Sequence, residues 1–284
     1  MNESTELEFR SLDVSDVDTV VGWAAAEGWN PGLNDGGIFH AVDPDGWFGA
    51  YHDGRLCGSA VATNYDDDFS FAGFYIVAPE YRKRDIGTTL TRMAMEHAGG
   101  RCIGLDGVMD MAPRYETVMG MRHGYQGVRF QGTSSGPKYV PELVSAAEAN
   151  LKEIIDFDSL HFPSERDSFI SSLITQKGGL TLASYDGKGG IDGFGTLIPC
   201  RDGYKVGPLF ASKTEVAESI LHTLLSTIAG ESFFVDVPDV NRPAMRLVKD
   251  MGLKEVFRTA RMYSCDPPDF RLDGVYGVTS FELG

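Results

Sequence analysis

The sequence is poor in positive charge. Lys and Arg together number 25 against 41 Asp and Glu, which gives the 284-residue chain a net charge of −16. Proteins that bind nucleic acids draw most of their affinity from Lys and Arg contacts with phosphates, so this balance argues against a nucleic-acid partner. An acidic surface is compatible with a cationic substrate such as an amine, although acidity kept for solubility is the simpler explanation.

Cysteine is also scarce, and long apolar segments are missing. The four cysteines, Cys57, Cys102, Cys200 and Cys265, are scattered without a CxxC pair or metal-ligand spacing. We therefore expect buried free thiols and no metal site. No apolar run approaches the ~18 residues of a membrane span, and the acidic start MNESTELEFR lacks the features of a signal peptide. These absences predict a cytoplasmic protein that does not enter a membrane.

What the sequence does contain is two copies of one plan. In the first half, an amphipathic helix precedes a strand pair, a central apolar strand, a helix, a strand, a second helix and a last strand. The predicted segments are 14–27, 47–51, 56–65, 69–77, a helix closed by Gly99 and Gly100, 102–108, a helix ending at Gly120, and a strand around 127–130. The second half repeats this order, and landmarks recur about 130 residues later: Asp106 with Asp236, Gly120 with Gly252, and Arg129 with Arg261.

The segment between the copies, TSSGPKYVPE, is rich in Ser, Gly and Pro and is typical of a linker. The predicted organisation is a first domain over residues 1–134, a linker over 135–145 and a second domain over 146–284. Each domain is expected to be of the α/β class, with a mixed, mostly antiparallel sheet flanked by helices.

The most specific motif lies where the central strand of the first copy ends. The run FYIVA is followed by Pro79 and by a turn that opens a helix, with Arg82 and Gly87 in the turn. This order resembles that of GCN5-related N-acetyltransferases (GNATs), in which a strand and a proline precede R/Q-x-x-G-x-G/A at a helix start. Arg82 and Gly87 fill the first and last motif positions. The resemblance implies two tandem GNAT folds and acetyl-CoA as cofactor.

A loop at a helix N-terminus can bind an anion, because successive backbone N–H groups and the helix dipole face it. The residues that the resemblance assigns to the diphosphate of coenzyme A are Arg82, Lys83, Arg84, Asp85, Ile86, Gly87 and Thr88. Asp85 stands at the central glycine of the motif, and Lys83 stands where another glycine often occurs. Glycine permits positive φ without steric cost, and the Asp85 carboxylate would lie near an anionic ligand. These departures from the motif are therefore expected to weaken the binding of coenzyme A.

The second copy resembles the family elsewhere. Asn241, Ala244, Val248 and Gly252-Leu253 are similar to the GNAT helix pattern N-x-x-A-x-x-x-Y-x-x-x-G-F, with valine in the tyrosine position. Its central strand VGPLF is followed by no arginine–glycine loop. The resemblance, including the closing YGVTSFELG, is to the C-terminal domain of two-domain bacterial acetyltransferases. It implies a domain that is structural or binds the acceptor.

The resemblance also assigns chemistry to the first copy. The backbone of Tyr75, Ile76 and Val77 would pair with the pantetheine arm and stabilise the thioester oxyanion. Tyr115 is the candidate general acid for the leaving thiol, although it lies five residues before Gly120 and the family tyrosine lies four before its glycine. A tyrosine packed under the cofactor is the alternative. Asp106 is a candidate amine ligand or base, and its counterpart Asp236 in the second copy favours a structural role.

The loop over residues 27–35 occupies the segment that shapes the acceptor site in GNAT folds. Trp29, Asn30 and Asp35 are the candidate amine-binding residues, and a helix–helix turn held by Trp29 is the alternative. The sequence favours an N-acetyltransferase that acts on a small-molecule amine by direct transfer in a ternary complex. A non-catalytic acyl-CoA sensor and a purely structural pair of folds are the other hypotheses, and a homodimer stays open.

Overall fold

The computed structural model describes residues 7–136 and 143–284. The strands in these residues are β1 Leu7–Ser11, β2 Trp47–His52, β3 Arg55–Asn64, β4 Phe69–Val77, β5 Cys102–Val108, β6 Arg122–Thr133, β7 Val144–Ser145, β8 Leu180–Tyr185, β9 Ile191–Pro199, β10 Tyr204–Ala211, β11 Ser232–Pro238, β12 Lys254–Tyr263 and β13 Val275–Gly277. The helices are α1 Val17–Ala26, α2 Asp35–Val42, α3 Ile86–Ala98, α4 Ala112–Met119, α5 Leu151–Asp158, α6 Asp167–Ile174, α7 Thr214–Ser226 and α8 Arg242–Asp250.

Local chemistry sets the ends and faces of these helices. Helix α3 buries Ile86, Leu90, Ala94 and Ala98, which recur every four residues on one face. It ends at Gly99, whose positive φ of 63° suits a residue without a Cβ. Side-chain caps begin two helices of the second half. The Asn150 side chain accepts from the backbone of α5, and the Asn241 side chain accepts from the backbone of α8.

All the strands of the described residues belong to one sheet, in the order β1-β2-β3-β4-β5-β12-β6-β11-β10-β9-β8-β7, with β13 paired to β10. Strand β12 of the second half lies between β5 and β6 of the first. Strand β6 of the first half lies between β12 and β11 of the second. The two halves therefore exchange their last strands, and backbone hydrogen bonds join both copies into one continuous sheet.

Helices cover both faces of this sheet. Helices α1, α2, α5 and α6 share one large core, in which Phe39 of α2 stacks on Phe169 of α6 with ring centroids 5.1 Å apart. We call this side the inner face. Helices α3, α4, α7 and α8 lie on the opposite, outer face. Successive strand residues alternate between the two faces, and accordingly Phe71 belongs to the inner core while Ala72 packs on the outer side.

The predicted element order of both copies is confirmed, as is the α/β class with a mostly antiparallel sheet. The continuity of the sheet across the halves was not predicted. Most of the predicted linker, residues 137–142, lies outside the described residues, and Val144–Ser145 at its end forms β7 against β8. The division into domains at 134 and 146 stays a prediction. None of the described helices has the length and apolar character to span a membrane.

The expectation that all four cysteines are free thiols is wrong for two of them. Cys102 at the start of β5 and Cys265 just after β12 form a disulfide, with Cα atoms 5.4 Å apart. The two residues are 163 positions apart in sequence and become neighbours only because β12 pairs with β5. Cys57 and Cys200 are buried free thiols, as expected.

Candidate active site

A fork opens between two parallel strands of the first half. Strands β4 and β5 pair from Phe69↔Cys102 as far as Ala72↔Leu105. Beyond Ala72, β4 continues to Val77 and pairs only with β3. An irregularity in that pairing accompanies Phe74, which has a φ of 45° and accepts a 2.8 Å hydrogen bond from the Ser59 hydroxyl. Residues 73–77 therefore present one backbone edge that no neighbouring strand covers.

The predicted pantetheine-binding residues lie on this free edge. Tyr75 is 41% exposed, Ile76 is buried and Val77 is half-buried. The Tyr75 hydroxyl lies against Gly87 in the first turn of α3. A Cβ at this position would displace the Tyr75 ring, which gives the motif glycine a steric reason.

The phosphate loop follows directly. After a 3-10 turn over Pro79–Tyr81, Lys83 has a φ of 67° and Asp85 a φ of 58°, and Ile86 begins α3. Both positions where the motif favours glycine thus keep left-handed backbone without glycine. Asp85 is the N-terminal flanking residue of α3, and its side chain makes no cap hydrogen bond there. The substitutions preserve the shape of the loop and change its charge.

The cationic side chains of the loop are exposed. Arg82 donates from Nε to the Val77 carbonyl at 2.9 Å and from Nη2 to the Glu27 carboxylate at 2.6 Å. Arg84 places its guanidinium 5.2 Å from the centre of the Tyr81 ring. Lys83, Thr88 and Asp85 are also exposed, whereas Ile86 is buried. Arg82 is therefore anchored to the end of β4, and Lys83 and Arg84 project around the loop.

Tyr115 lies on α4 against the far side of the fork. A Cβ at Gly107 of β5 would clash with one edge of its ring, so the phenol lies against the β5 backbone. Burial raises the Tyr115 pKa above its ordinary value of 10.0, and the nearby Tyr75 adds to this shift. The phenol therefore stays protonated at neutral pH, as a proton donor must. The structure brings Tyr75, Gly87 and Tyr115 to the two sides of one fork.

Asp106 points to the inner face and is fully engaged. Its Oδ2 accepts from Arg261 Nε at 3.0 Å and from Nη2 at 2.6 Å, and its Oδ1 accepts from the Thr259 hydroxyl. Burial raises the Asp106 pKa while Arg261 opposes the shift. In the second copy, Asp236 binds Arg129 through two bonds of 2.7 Å. Each aspartate thus binds the arginine of the other copy, an exchange that the spacing alone did not reveal.

The acceptor-loop residues contact the second half of the chain. Asn30 donates to the Asp202 carbonyl at 2.9 Å and accepts from the Asp202 backbone. The Trp29 carbonyl accepts from Arg129 Nη1. Asp35 is buried, accepts from the Gly32 N–H at 2.8 Å and lies 3.7 Å from Lys205 Nζ. The Asn30 and Asp35 side chains are thus engaged with other parts of the chain. Their role in amine binding stays a prediction.

The corresponding fork of the second half is occupied by the chain itself. Strands β10 and β11 pair in parallel only over Tyr204–Val206 with Phe233–Val235. Beyond that point β13 pairs with β10, and the Val278 N–H donates to the Asp236 carbonyl on β11 at 2.8 Å. The closing strand thus fills the second fork. This agrees with the absence of a phosphate loop there.

The last residues then cross the inner face to the first fork. A Cβ at Gly73, the first residue beyond the β4–β5 ladder, would lie 1.6 Å from the Glu282 carbonyl oxygen. The Ser280 hydroxyl accepts from the Glu282 and Leu283 N–H groups, and the Tyr65 hydroxyl donates to the Leu283 carbonyl at 2.7 Å. We call residues 280–284 the C-terminal turn. No site residue was predicted from the sequence in the closing segment YGVTSFELG, which contains this turn.

Comparison with known proteins gives consistent results for both halves. Residues 11–117 match the model of the acetyltransferase (GNAT) family, and residues 154–277 match that of an acetyltransferase (GNAT) domain. The chain is 30% identical over 266 residues to the holothin acyltransferase of Pseudoalteromonas sp. (strain SANK 73390), covering 92% of this chain and 89% of the relative.

Solved structures share the fold at lower identity. A putative acetyltransferase from Pyrococcus horikoshii aligns with a TM-score of 0.84 at 22% identity, covering 100% of this chain and 98% of its own. A tandem GNAT protein from the clavulanic acid biosynthesis pathway aligns with a TM-score of 0.65 at 16% identity, covering 93% of this chain and 100% of its own. The similarity in each case extends over both halves.

Proposed function

The chain belongs to the tandem GNAT acyltransferases, and from this premise we propose that its first half transfers an acetyl group from acetyl-CoA to an amine of a small molecule. The observation that carries this proposal is the fork between β4 and β5 with a left-handed phosphate loop at its end. The closed fork of the second half gives one donor site per chain.

The residues around the fork fit an acyl-CoA. Exposed Lys83 and Arg84 supply charge for the diphosphate, and the first N–H groups of α3 can donate hydrogen bonds to it at the helix N-terminus. The uncovered edge over residues 73–77 offers backbone groups to the amides of pantetheine. The non-catalytic alternative was motivated by Asp85 and by the displaced Tyr115. The left-handed φ of 58° at Asp85 keeps the backbone geometry of the motif glycine, and the carboxylate remains beside the expected diphosphate.

The backbone and side-chain groups around the fork would each have one role in direct transfer. Acetyl-CoA supplies an activated acyl group when it is bound. A backbone N–H on the uncovered edge stabilises the oxyanion as the amine attacks, and holding both reactants at one fork aligns them. The Tyr115 phenol gives its proton to the leaving thiolate. Asp106 fixes the β5–β12 pairing at the fork through Arg261, and we assign it a positioning role.

The acceptor is proposed as a small-molecule amine. The relative from Pseudoalteromonas is named for the acylation of holothin, so holothin belongs in the first acceptor panel beside simple primary amines. The acidic chain suits a basic acceptor by long-range attraction. A homodimer and a cytoplasmic location stay predictions.

Two measurements test the proposal. Titration calorimetry should give one acetyl-CoA per chain, and thiol release should appear only when an accepted amine is added. Arg82→Ala should weaken acetyl-CoA binding by about tenfold, because the guanidinium anchors the loop to the end of β4. Arg92→Ala is the matched control, because Arg92 is an exposed arginine on α3 that pairs with Glu96. This variant should bind acetyl-CoA with wild-type affinity. Absence of heat with wild-type protein would contradict the donor site.

A further inference from the structure

An unusual group of buried charges lies on the inner face and joins three parts of the chain. Lys205 of β10 has its Nζ 3.7 Å from an Asp35 oxygen and 3.7 Å from a Glu282 oxygen. The exposed fractions of the three side chains are 1%, 5% and 1%. We call these three residues the buried charge cluster. It connects α2, the second half and the C-terminal turn.

Two of the three residues in the cluster leave their hydrogen-bonding capacity unused, whereas Asp35 accepts from the Gly32 N–H. Lys205 Nζ and both carboxylate oxygens of Glu282 are buried and have no hydrogen-bond partner. Among the described residues, Glu282 is the carboxylate for which this holds at both oxygens. A buried polar group without a partner costs about 1–3 kcal/mol, so such an arrangement usually marks a function. The oxygens of Asp236, by contrast, are both bound by Arg129, and those of Asp106 are bound by Arg261 and by the Thr259 hydroxyl.

The backbone of Glu282 lies at the fork, and its side chain extends from there to Lys205. The Glu282 carbonyl oxygen rests against Gly73, where β4 and β5 separate, and the carboxylate lies 3.7 Å from Lys205 Nζ. The phosphate loop opens α3, and Tyr115 lies on α4, and both helices lie on the outer face. A donor held by these elements occupies the outer side, so the acceptor must approach the same fork from the inner side. The C-terminal turn is the chain segment that covers this side at Gly73.

We propose that Glu282 is the proton acceptor for the attacking amine. This inference rests on the proposed acyl transfer. The nitrogen–carbon bond forms, the carbon–sulfur bond breaks, the proton lost by nitrogen passes to the Glu282 carboxylate, and the thiolate takes a proton from Tyr115. Entry of the acceptor requires the turn to lift from Gly73, a movement that separates Glu282 from Lys205 and breaks the hydrogen bond between the Tyr65 hydroxyl and the Leu283 carbonyl.

The electrostatics of the cluster keep Lys205 charged. Burial disfavours the Lys205 cation, but Glu282 and Asp35 together outweigh that effect and raise its pKa. The ammonium thus lies between two buried carboxyl side chains, one on α2 and one on the C-terminal turn.

The test compares Glu282→Gln, which keeps the size and removes the base, with Glu255→Gln on the exposed part of β12. Glu282→Gln should lower kcat/KM for the best acceptor of the panel by about 100-fold, with acetyl-CoA affinity within about twofold of wild type. Glu255→Gln should behave as wild type. Wild-type turnover by Glu282→Gln would overturn the proposal.

Chemical rescue separates a base from a structural residue. Formate added to Glu282→Ala should restore transfer by about tenfold, because a small carboxylate can occupy the vacated space. A folded Glu282→Ala protein that formate leaves inactive would count against the proposal.

Binding of the acceptor alone gives a readout that does not depend on turnover. A primary amine from the panel should raise the unfolding temperature of the wild type and not that of Glu282→Gln, and equal shifts would overturn the assignment of Glu282. Failure of wild type to bind acetyl-CoA would instead refute the proposed donor site, and this amine comparison would still decide the role of Glu282.

Discussion

The charge of Asp85 should limit the affinity of the donor site, and its removal should tighten it. The backbone at Asp85 already has the left-handed geometry of the motif glycine, so Asp85→Gly asks for no change of loop shape. What changes is the carboxylate beside the expected diphosphate. Asp85→Asn removes the charge, and asparagine also tolerates left-handed φ.

The size of the effect follows from Coulomb's law. Two unit charges about 4 Å apart in water repel by about 1 kcal/mol, and a diphosphate carries roughly two charges. The repulsion of about 2 kcal/mol corresponds to about 30-fold in Kd, and salt screening at physiological ionic strength reduces it toward tenfold. Both Asp85 variants should therefore bind acetyl-CoA about 10- to 30-fold more tightly, with the larger gain at low salt.

Titration calorimetry at two salt concentrations measures this gain. Asp53→Gly is the matched control, because Asp53 has a φ of 51° in the turn between β2 and β3 and lies outside the fork. It undergoes the same backbone relief and should leave Kd unchanged. If Asp85→Gly and Asp85→Asn both bind acetyl-CoA no more tightly than wild type, the loop does not face the diphosphate. A gain for Asp85→Gly alone would assign the effect to backbone geometry.

Three further predictions concern catalysis and stability. Tyr115→Phe should lower the transfer rate about 100-fold. Burial keeps the pKa of the wild-type phenol above 10.0. A pH–rate profile of the wild type should therefore show no loss of rate from deprotonation of Tyr115 below about pH 10. Asp236→Asn should lower the free energy of unfolding, measured with urea, by about 3–5 kcal/mol, because it leaves the buried Arg129 guanidinium without its anion. An unchanged urea midpoint would mean that the pair is not formed. Gly73→Ala should lower the free energy of unfolding by about 1–3 kcal/mol in the same assay, because the added Cβ pushes the C-terminal turn away. Gly37→Ala is the control: a Cβ at this position of α2 meets open space, and the variant should raise the free energy of unfolding by about 0.5–1 kcal/mol.

The order of elements and the donor motif could be predicted from the amino-acid sequence alone. Strand alternation, the apolar face of α3 and the turn residues act over a few positions, so they can be read without knowing distant neighbours. The motif around Arg82 and Gly87 is local in the same sense, and the recurrence of Asp106 as Asp236 revealed the duplication.

The contacts between distant segments could not be predicted from local patterns. The exchange of β6 and β12, the Cys102–Cys265 disulfide and the crossed Asp–Arg pairs all depend on strand neighbours more than 100 residues apart. A strand's pattern specifies which of its faces is buried, and it does not specify the partner at its edge. The contact between Glu282 and Gly73 likewise depends on a distant segment. The C-terminal turn reaches the first fork because β13, which precedes it, lies in the second fork.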